Sequence, residues 1–169
     1  MSGFAQDEVI GLPVPGEESM ETLPDYPHFT IRFGSSLKLM MDCVDFLNNA
    51  ESEFSRIDLT SDWKKWKARR PDFSLFYSAI YDTNNLKIAG VLRAVTDGHP
   101  IPKPPHRKRI IIDYIYTSPL YRSQGLASVL ITFANNISMM SDSSIYALAL
   151  EDSCVYWMSK GFILVENSF

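Results

Sequence analysis

The segment Ile110–Ala127, which reads IIIDYIYTSPLYRSQGLA, gathers residues able to do chemistry more densely than the rest of the chain. Arg122-x-x-Gly125-x-Ala127 stands between an apolar, strand-like run and the start of a helix-patterned one. A helix N-terminus exposes unpaired N–H groups and the positive end of the helix dipole, so it is a ready anion site. At such a terminus Gly125 lets a phosphate approach the backbone, Ala127 keeps the first turn open, and Arg122 adds a charge-assisted contact. The pattern alone is weak, because an ordinary helix start explains it equally well. Asp113 is a lone carboxylate among isoleucines and tyrosines. A buried acid is costly unless it is paired or functional, and Arg93 and Arg109 are its candidate partners.

The remaining reactive residues carry less. Lys64, Lys65, Lys67, Arg69 and Arg70, with Arg107, Lys108 and Arg109, are eight of the 16 basic residues. They suit phosphates or an acidic protein partner, or simply a solvated helix face and loop. His28, His99 and His106 have no metal-ligand spacing around them. Cys43 and Cys154 are too few for a disulfide framework and read as reduced thiols of an intracellular protein, cytoplasmic or nuclear. Trp63, Trp66 and the Met139-Met140 pair read as packing residues.

Elements that position these residues follow from periodicity. Residues 1–27 hold four prolines, three glycines and six acids without a compensating base, and read as a flexible or loosely docked leader. Residues 28–169 form the domain, in an α/β fold. Phe29–Phe33 alternates as a strand, and Ser35 or Ser36 caps a helix striped by Leu37, Met40, Met41, Val44 and Leu47. A shorter helix starts at Ser61 or Asp62 and ends before Pro71. Strands at Phe73–Tyr81 and Leu86–Val95 form a hairpin through Asp82-Thr-Asn-Asn85, and Asp97–Pro105 is a loop. Arg109–Thr117 is the central strand, followed by a helix from Gly125 to Met140, a strand at Ser144–Leu150, a helix at Asp152–Lys160 and a strand at Phe162–Val165. The strand–helix–strand unit around residue 125 calls for a right-handed parallel crossover.

In this order of elements the loop resembles the cofactor motif of the GNAT superfamily of acyl-CoA-dependent N-acetyltransferases. There an R/Q-x-x-G-x-G/A loop follows a strand and a proline-containing turn, as Pro119 precedes Arg122 here. Tyr156-Trp-Met-Ser-Lys-Gly161-Phe162 is similar to the family's aromatic–x3–Gly-Phe ending, so the resemblance spans roughly residues 29–165. It implies the GNAT fold, a mixed central sheet flanked by helices, and direct acetyl transfer from acetyl-CoA to a primary amine in a ternary complex. No metal is implied. By the same resemblance the pantetheine arm lies along Ile115, Tyr116 and Thr117, and the pyrophosphate sits on the N–H groups of Ser123, Gln124, Gly125, Leu126, Ala127 and Ser128 beside Arg122.

Three tasks follow: deprotonating the amine, stabilising the oxyanion and protonating the departing thiolate. A backbone N–H near Ile115 or Tyr116 is the candidate for the second. Asp113 is the candidate base, set against its structural pairing, with Glu151 and Asp152 as alternatives. Many family members place the acid tyrosine four residues before the Gly-Phe glycine, where this chain has Trp157, so Tyr156 is the candidate acid here, set against a packing role. The chain stops seven residues after Phe162, so the family's last strand is expected to be missing, leaving an edge for the leader, a second subunit of a homodimer, or an open acceptor site. That edge and the Tyr156-Trp157 pair favour a protein lysine or N-terminal amine as acceptor over a small molecule. The alternative is a catalytically degenerate module of the same fold that binds CoA or a protein partner.

Charge sets further bounds. The formal net charge is −4, which disfavours a nucleic-acid ligand, yet residues 26–169 carry 16 bases against 14 acids. A body close to neutral admits a cofactor rich in phosphate. No apolar run is long enough to span a membrane.

Overall fold

The chain is described from a computed structural model over residues 17–50, 74–96, 108–147 and 154–163. Strand β1 (Glu18–Thr22) pairs antiparallel with β2 (Phe29–Gly34), in register from Glu18↔Gly34 to Thr22↔Thr30. The stretch read from sequence as an irregular leader therefore contributes an edge strand. Its signal was hidden because an exposed edge strand buries neither face and shows no alternation.

Helix α1 (Leu37–Asn49) starts where Ser36 Oγ accepts the Leu39 N–H at 3.1 Å and donates to Glu18 Oε1 at 2.9 Å. The cap thus also ties the helix to β1. Strands β3 (Ser74–Asp82) and β4 (Ile88–Thr96) form the expected hairpin, and β5 (Lys108–Thr117) adds antiparallel to β4. A 3₁₀ turn at Pro119–Tyr121 leads to α2 (Leu126–Met140), β6 (Ser143–Ala147) and the short α3 (Cys154–Ser159). The sheet order is β1-β2-β3-β4-β5-β6, with only β5·β6 parallel among these pairs, as the crossover through α2 requires.

Two apolar layers cover the sheet. One joins Ile31, Phe33, Leu92, Ile110 and Ile112 to Leu126, Leu130 and Phe133 of α2. The other joins Tyr77, Ala79 and Val91 to Leu39, Cys43 and Leu47 of α1. Burial pushes the Cys43 thiol well up, with smaller contributions from Asp42 and Glu18, so it stays protonated inside this second layer.

Several expectations meet a different outcome. Lys108 opens β5 instead of belonging to the loop, and Arg109, expected at the start of this strand, is buried rather than part of a solvated surface. Leu37 and Met41 fall on the exposed side of α1, so the buried stripe is Leu39, Met40, Cys43, Val44 and Leu47. Phe162 and Ile163 lie outside any strand, because Phe162 closes the end of α3. The leader strand pairs at the β2 edge, opposite to β6, so the described leader does not stand in for a C-terminal strand. The helix expected from Ser61, the loop at Asp97–Pro105, the bases Lys64, Lys65, Lys67, Arg69, Arg70 and Arg107, and the acids Glu151 and Asp152 lie outside the described residues.

Candidate active site

A β-bulge sits at the middle of β5. Tyr114 pairs with Arg93 and Ile112 with Ala94, which leaves Asp113 as the extra residue. A bulge re-aims the side chains it carries. Asp113 forms an ion pair with Arg93, whose Nε donates to the Tyr77 hydroxyl at 3.2 Å. The Arg93 guanidinium also lies 5.9 Å from the Tyr77 ring centre and 5.6 Å from that of Tyr114. Asp113 is thus held against the α1-side layer, by one of the two arginines its sequence context offered.

Beyond the bulge the residues alternate. Ile115 packs with the α2-side layer and Tyr116 with the α1-side layer, where its ring centre is 5.8 Å from that of Phe46. At the strand end, Thr117 Oγ1 is buried without a hydrogen-bond partner among the described residues. The described pairing of β5 with β6 ends at Ile112↔Ala147, while β5 continues to Thr117.

The turn after β5 is anchored from the hairpin. Tyr121 donates its hydroxyl to Asp82 Oδ2 at 2.8 Å, accepts from Asn85 Nδ2 at 3.2 Å, and packs edge-on to Phe29 with ring centres 5.8 Å apart. The Asn84 backbone N–H, then the Tyr121 hydroxyl, hold the Asp82 carboxyl below its usual range. Arg122 folds back over the strand end. Its Nε donates to Thr117 O at 3.2 Å and its guanidinium lies 5.4 Å from the Tyr116 ring centre.

Ser123 (φ 69°) and Gly125 (φ 78°) are both left-handed, and they turn the chain sharply into α2. Gly125 is the N-cap, and no side chain caps the helix or places an acid in its first turn. The free N–H groups therefore face outward beside the exposed Ser123 and Gln124 and the half-buried Ala127 and Ser128. Leu126 is buried in the core, so it can offer a ligand only its backbone. A Cβ at Gly125 would come within 3.1 Å of the Tyr26 hydroxyl. The missing side chain keeps open a cradle of the kind a phosphate needs, and a cavity of about 400 Å³ opens beside it between Glu21–Tyr26 and α2.

Helix α3 reaches the same helix start through Lys160 at its end. It ends in a Schellman motif: Phe162 N–H reaches Trp157 O at 3.2 Å, Gly161 N–H reaches Met158 O at 3.1 Å, and Gly161 has φ 92°. The accompanying apolar contact is Trp157 against Phe162, with ring centres 5.1 Å apart. Trp157 is only 7% exposed and is committed to this packing. Tyr156 is 38% exposed, and partial burial raises its hydroxyl above the usual tyrosine range. Lys160 links this helix to α2: its Nζ donates to Ser128 Oγ at 2.6 Å and lies 5.5 Å from the Tyr156 ring centre.

The structure therefore gathers Arg122, Ser123, Gln124, Gly125, Ala127 and Ser128 at one helix start, with Tyr156 beside it through Lys160. Asp113 stands apart, on the α1 side of the sheet. Sequence reasoning passed over Lys160, whose position next to Gly161 at a helix end was its one available signal, and Tyr26, whose place at Gly125 depends on a chain reversal.

Comparisons with known proteins bear on the family and the fold. The family described as the acetyltransferase (GNAT) family matches residues 40–139. An acetyltransferase from Trypanosoma brucei is structurally similar, with a TM-score of 0.60, 16% identity, and coverage of 90% of this chain and 97% of that one. A predicted acetyltransferase with acetyl-CoA from Clostridium acetobutylicum gives a TM-score of 0.61 at 15% identity, covering 82% of this chain and 92% of that one. An aminoglycoside acetyltransferase from an uncultured soil metagenomic sample, in complex with trehalose, gives 0.60 at 14% identity, covering 83% and 91%. No curated protein matches the chain in sequence.

Proposed function

Since the chain belongs to the GNAT acetyltransferase family, we propose that it transfers an acetyl group from acetyl-CoA to a primary amine. The observation carrying this reading is the helix start at Gly125, where left-handed backbone, an absent Cβ and uncapped N–H groups coincide. Acetyl-CoA supplies the activated acyl group, and the chain's own residues bind, orient and move protons. The N–H groups from Ser123 to Ser128 hold the pyrophosphate, with Arg122 adding positive charge at the loop. The edge of β5 at Ile115–Thr117 supports the pantetheine arm, and the buried, unpartnered Thr117 hydroxyl suits a polar group arriving there.

A backbone N–H at Ile115 or Tyr116 is the candidate donor to the carbonyl oxygen that gains charge during transfer. Tyr156, whose hydroxyl partial burial raises above the usual tyrosine range, is the candidate proton donor to the leaving thiolate. Asp113 is bound to Arg93, and taking up a proton would cancel that pair. Its pairing favours the positioning role, holding Arg93 and the bulge, over direct proton acceptance. A protein lysine or N-terminus as acceptor rests on the Tyr156-Trp157 pair and on a sheet without a described strand beyond β6.

A second reading, CoA binding without turnover, draws on Trp157, which fills the family's usual tyrosine slot and is spent on packing. Calorimetric titration with acetyl-CoA, followed by a thiol-release screen over lysine peptides, polyamines and aminoglycosides, separates the two. Binding with release on any amine supports the transferase, and binding without release selects the second reading. No heat at high acetyl-CoA overturns both. The described helices include none long and apolar enough to cross a membrane.

A further inference from the structure

We propose that Lys160 is a coenzyme-phosphate ligand, exchanging the Ser128 hydroxyl for a phosphate oxygen of the acyl donor; this rests on the acetyl-CoA reading above. Ser128 is the third residue of α2, one turn from the uncapped N–H groups at Gly125. The Lys160 ammonium is 2.6 Å from its hydroxyl, so a phosphate seated on those N–H groups falls within reach of the same Nζ. An ammonium carries three donors, and a neutral hydroxyl satisfies one of them weakly compared with an anionic oxygen. The exchange forms one N–H···O bond and breaks another, with no proton transferred.

Its placement comes from the end of α3. Lys160 directly follows the last helical residue, its N–H reaching Trp157 O at 3.0 Å, and Gly161 and Phe162 complete the Schellman turn. The buried Trp157–Phe162 contact fixes that turn, and the face of the Tyr156 ring steadies the ammonium. On this account the aromatic–Gly-Phe ending serves, in this chain, to present a cation across the gap between α3 and α2. Arg122 approaches from the end of β5 instead, with its Nε donating to Thr117 O and its guanidinium over the Tyr116 ring.

The test measures acetyl-CoA affinity by calorimetry for the wild type, Lys160→Met and Lys160→Arg. We expect Lys160→Met to weaken binding about three- to tenfold, the range of an exposed charge-assisted contact, with Lys160→Arg retaining most of the affinity. Because Lys160 is exposed, the melting temperature of the free protein should hold. The 3′-dephospho analogue identifies the phosphate: a loss that vanishes marks the 3′-phosphate as partner, and a loss that persists marks the pyrophosphate. Unchanged acetyl-CoA affinity in Lys160→Met overturns the proposal, as does an equal loss with S-acetylpantetheine, which has no phosphate. A wild type that binds no acetyl-CoA is a separate failure, overturning the family-based reading and this inference together.

Discussion

Replacing Gly125 by alanine tests the phosphate cradle most directly. The residue sits at φ 78°, where an L side chain costs about 1–2 kcal/mol. The new Cβ would also stand 3.1 Å from the Tyr26 hydroxyl, so that side chain must yield slightly. For a chain of this size, about 2–4 °C is lost per kcal/mol, which puts the expected fall in melting temperature of the free protein at about 2–8 °C. The effect on ligand is separate, because the added methyl occupies the space through which a phosphate approaches the N–H groups. With acetyl-CoA at a hundred times its dissociation constant the wild type gains about 2.7 kcal/mol, and a variant binding tenfold more weakly gains only about 1.4 kcal/mol. Thermal melts with and without acetyl-CoA, backed by calorimetry, read both quantities. A Gly125→Ala protein that melts lower yet binds acetyl-CoA as tightly as the wild type would refute the cradle and leave only a strained turn.

Four other outcomes follow from the contacts described. Ser123→Gly relieves the φ 69° strain and should raise stability by about 1 kcal/mol, measured by denaturant melts. Asp113→Asn strands the mostly buried Arg93 and should cost about 3 kcal/mol; joint replacement of both by apolar residues should cost much less, and equal losses would refute the pairing argument. Tyr156→Phe should lower kcat at least about tenfold with little change in acetyl-CoA affinity, and the alkaline limb attributed to Tyr156 should lie above the usual tyrosine range. For Asp82 the folded carboxyl titrates below its unfolded value, so its contribution is present above the ordinary carboxylate range and lost as pH falls through the folded value. Tyr121→Phe should flatten that acid limb of a stability-against-pH profile, and an unchanged limb would place the effect elsewhere.

Much of the fold was legible because periodicity records burial. Phe29–Phe33 alternates because one strand face meets the α2-side core, and the run from Leu126 to Ile137 has helical spacing because it covers that same core. Ser36 was readable as a cap because capping is local. The edge strand at Glu18–Thr22 was not, since its residues are mostly exposed and only backbone pairing with β2 defines it. The resemblance to the family placed Trp157 in its tyrosine slot. That it is consumed by the Phe162 contact depends on how α3 ends in space.

The sequence by itself determined the order of the described elements from β2 to α3, the parallel crossover around α2 and the glycine at the helix start, because each leaves its mark in local spacing. Tertiary structure alone decided which arginine holds Asp113, which side of the sheet that pair occupies, and which cation stands beside Ser128. Those outcomes join residues 20 and 32 positions apart across strands and helices. The physical reason is that hydrophobic spacing encodes which face of an element is buried, while the partner of a polar side chain is chosen by register, bulge and helix-end geometry after the elements have packed.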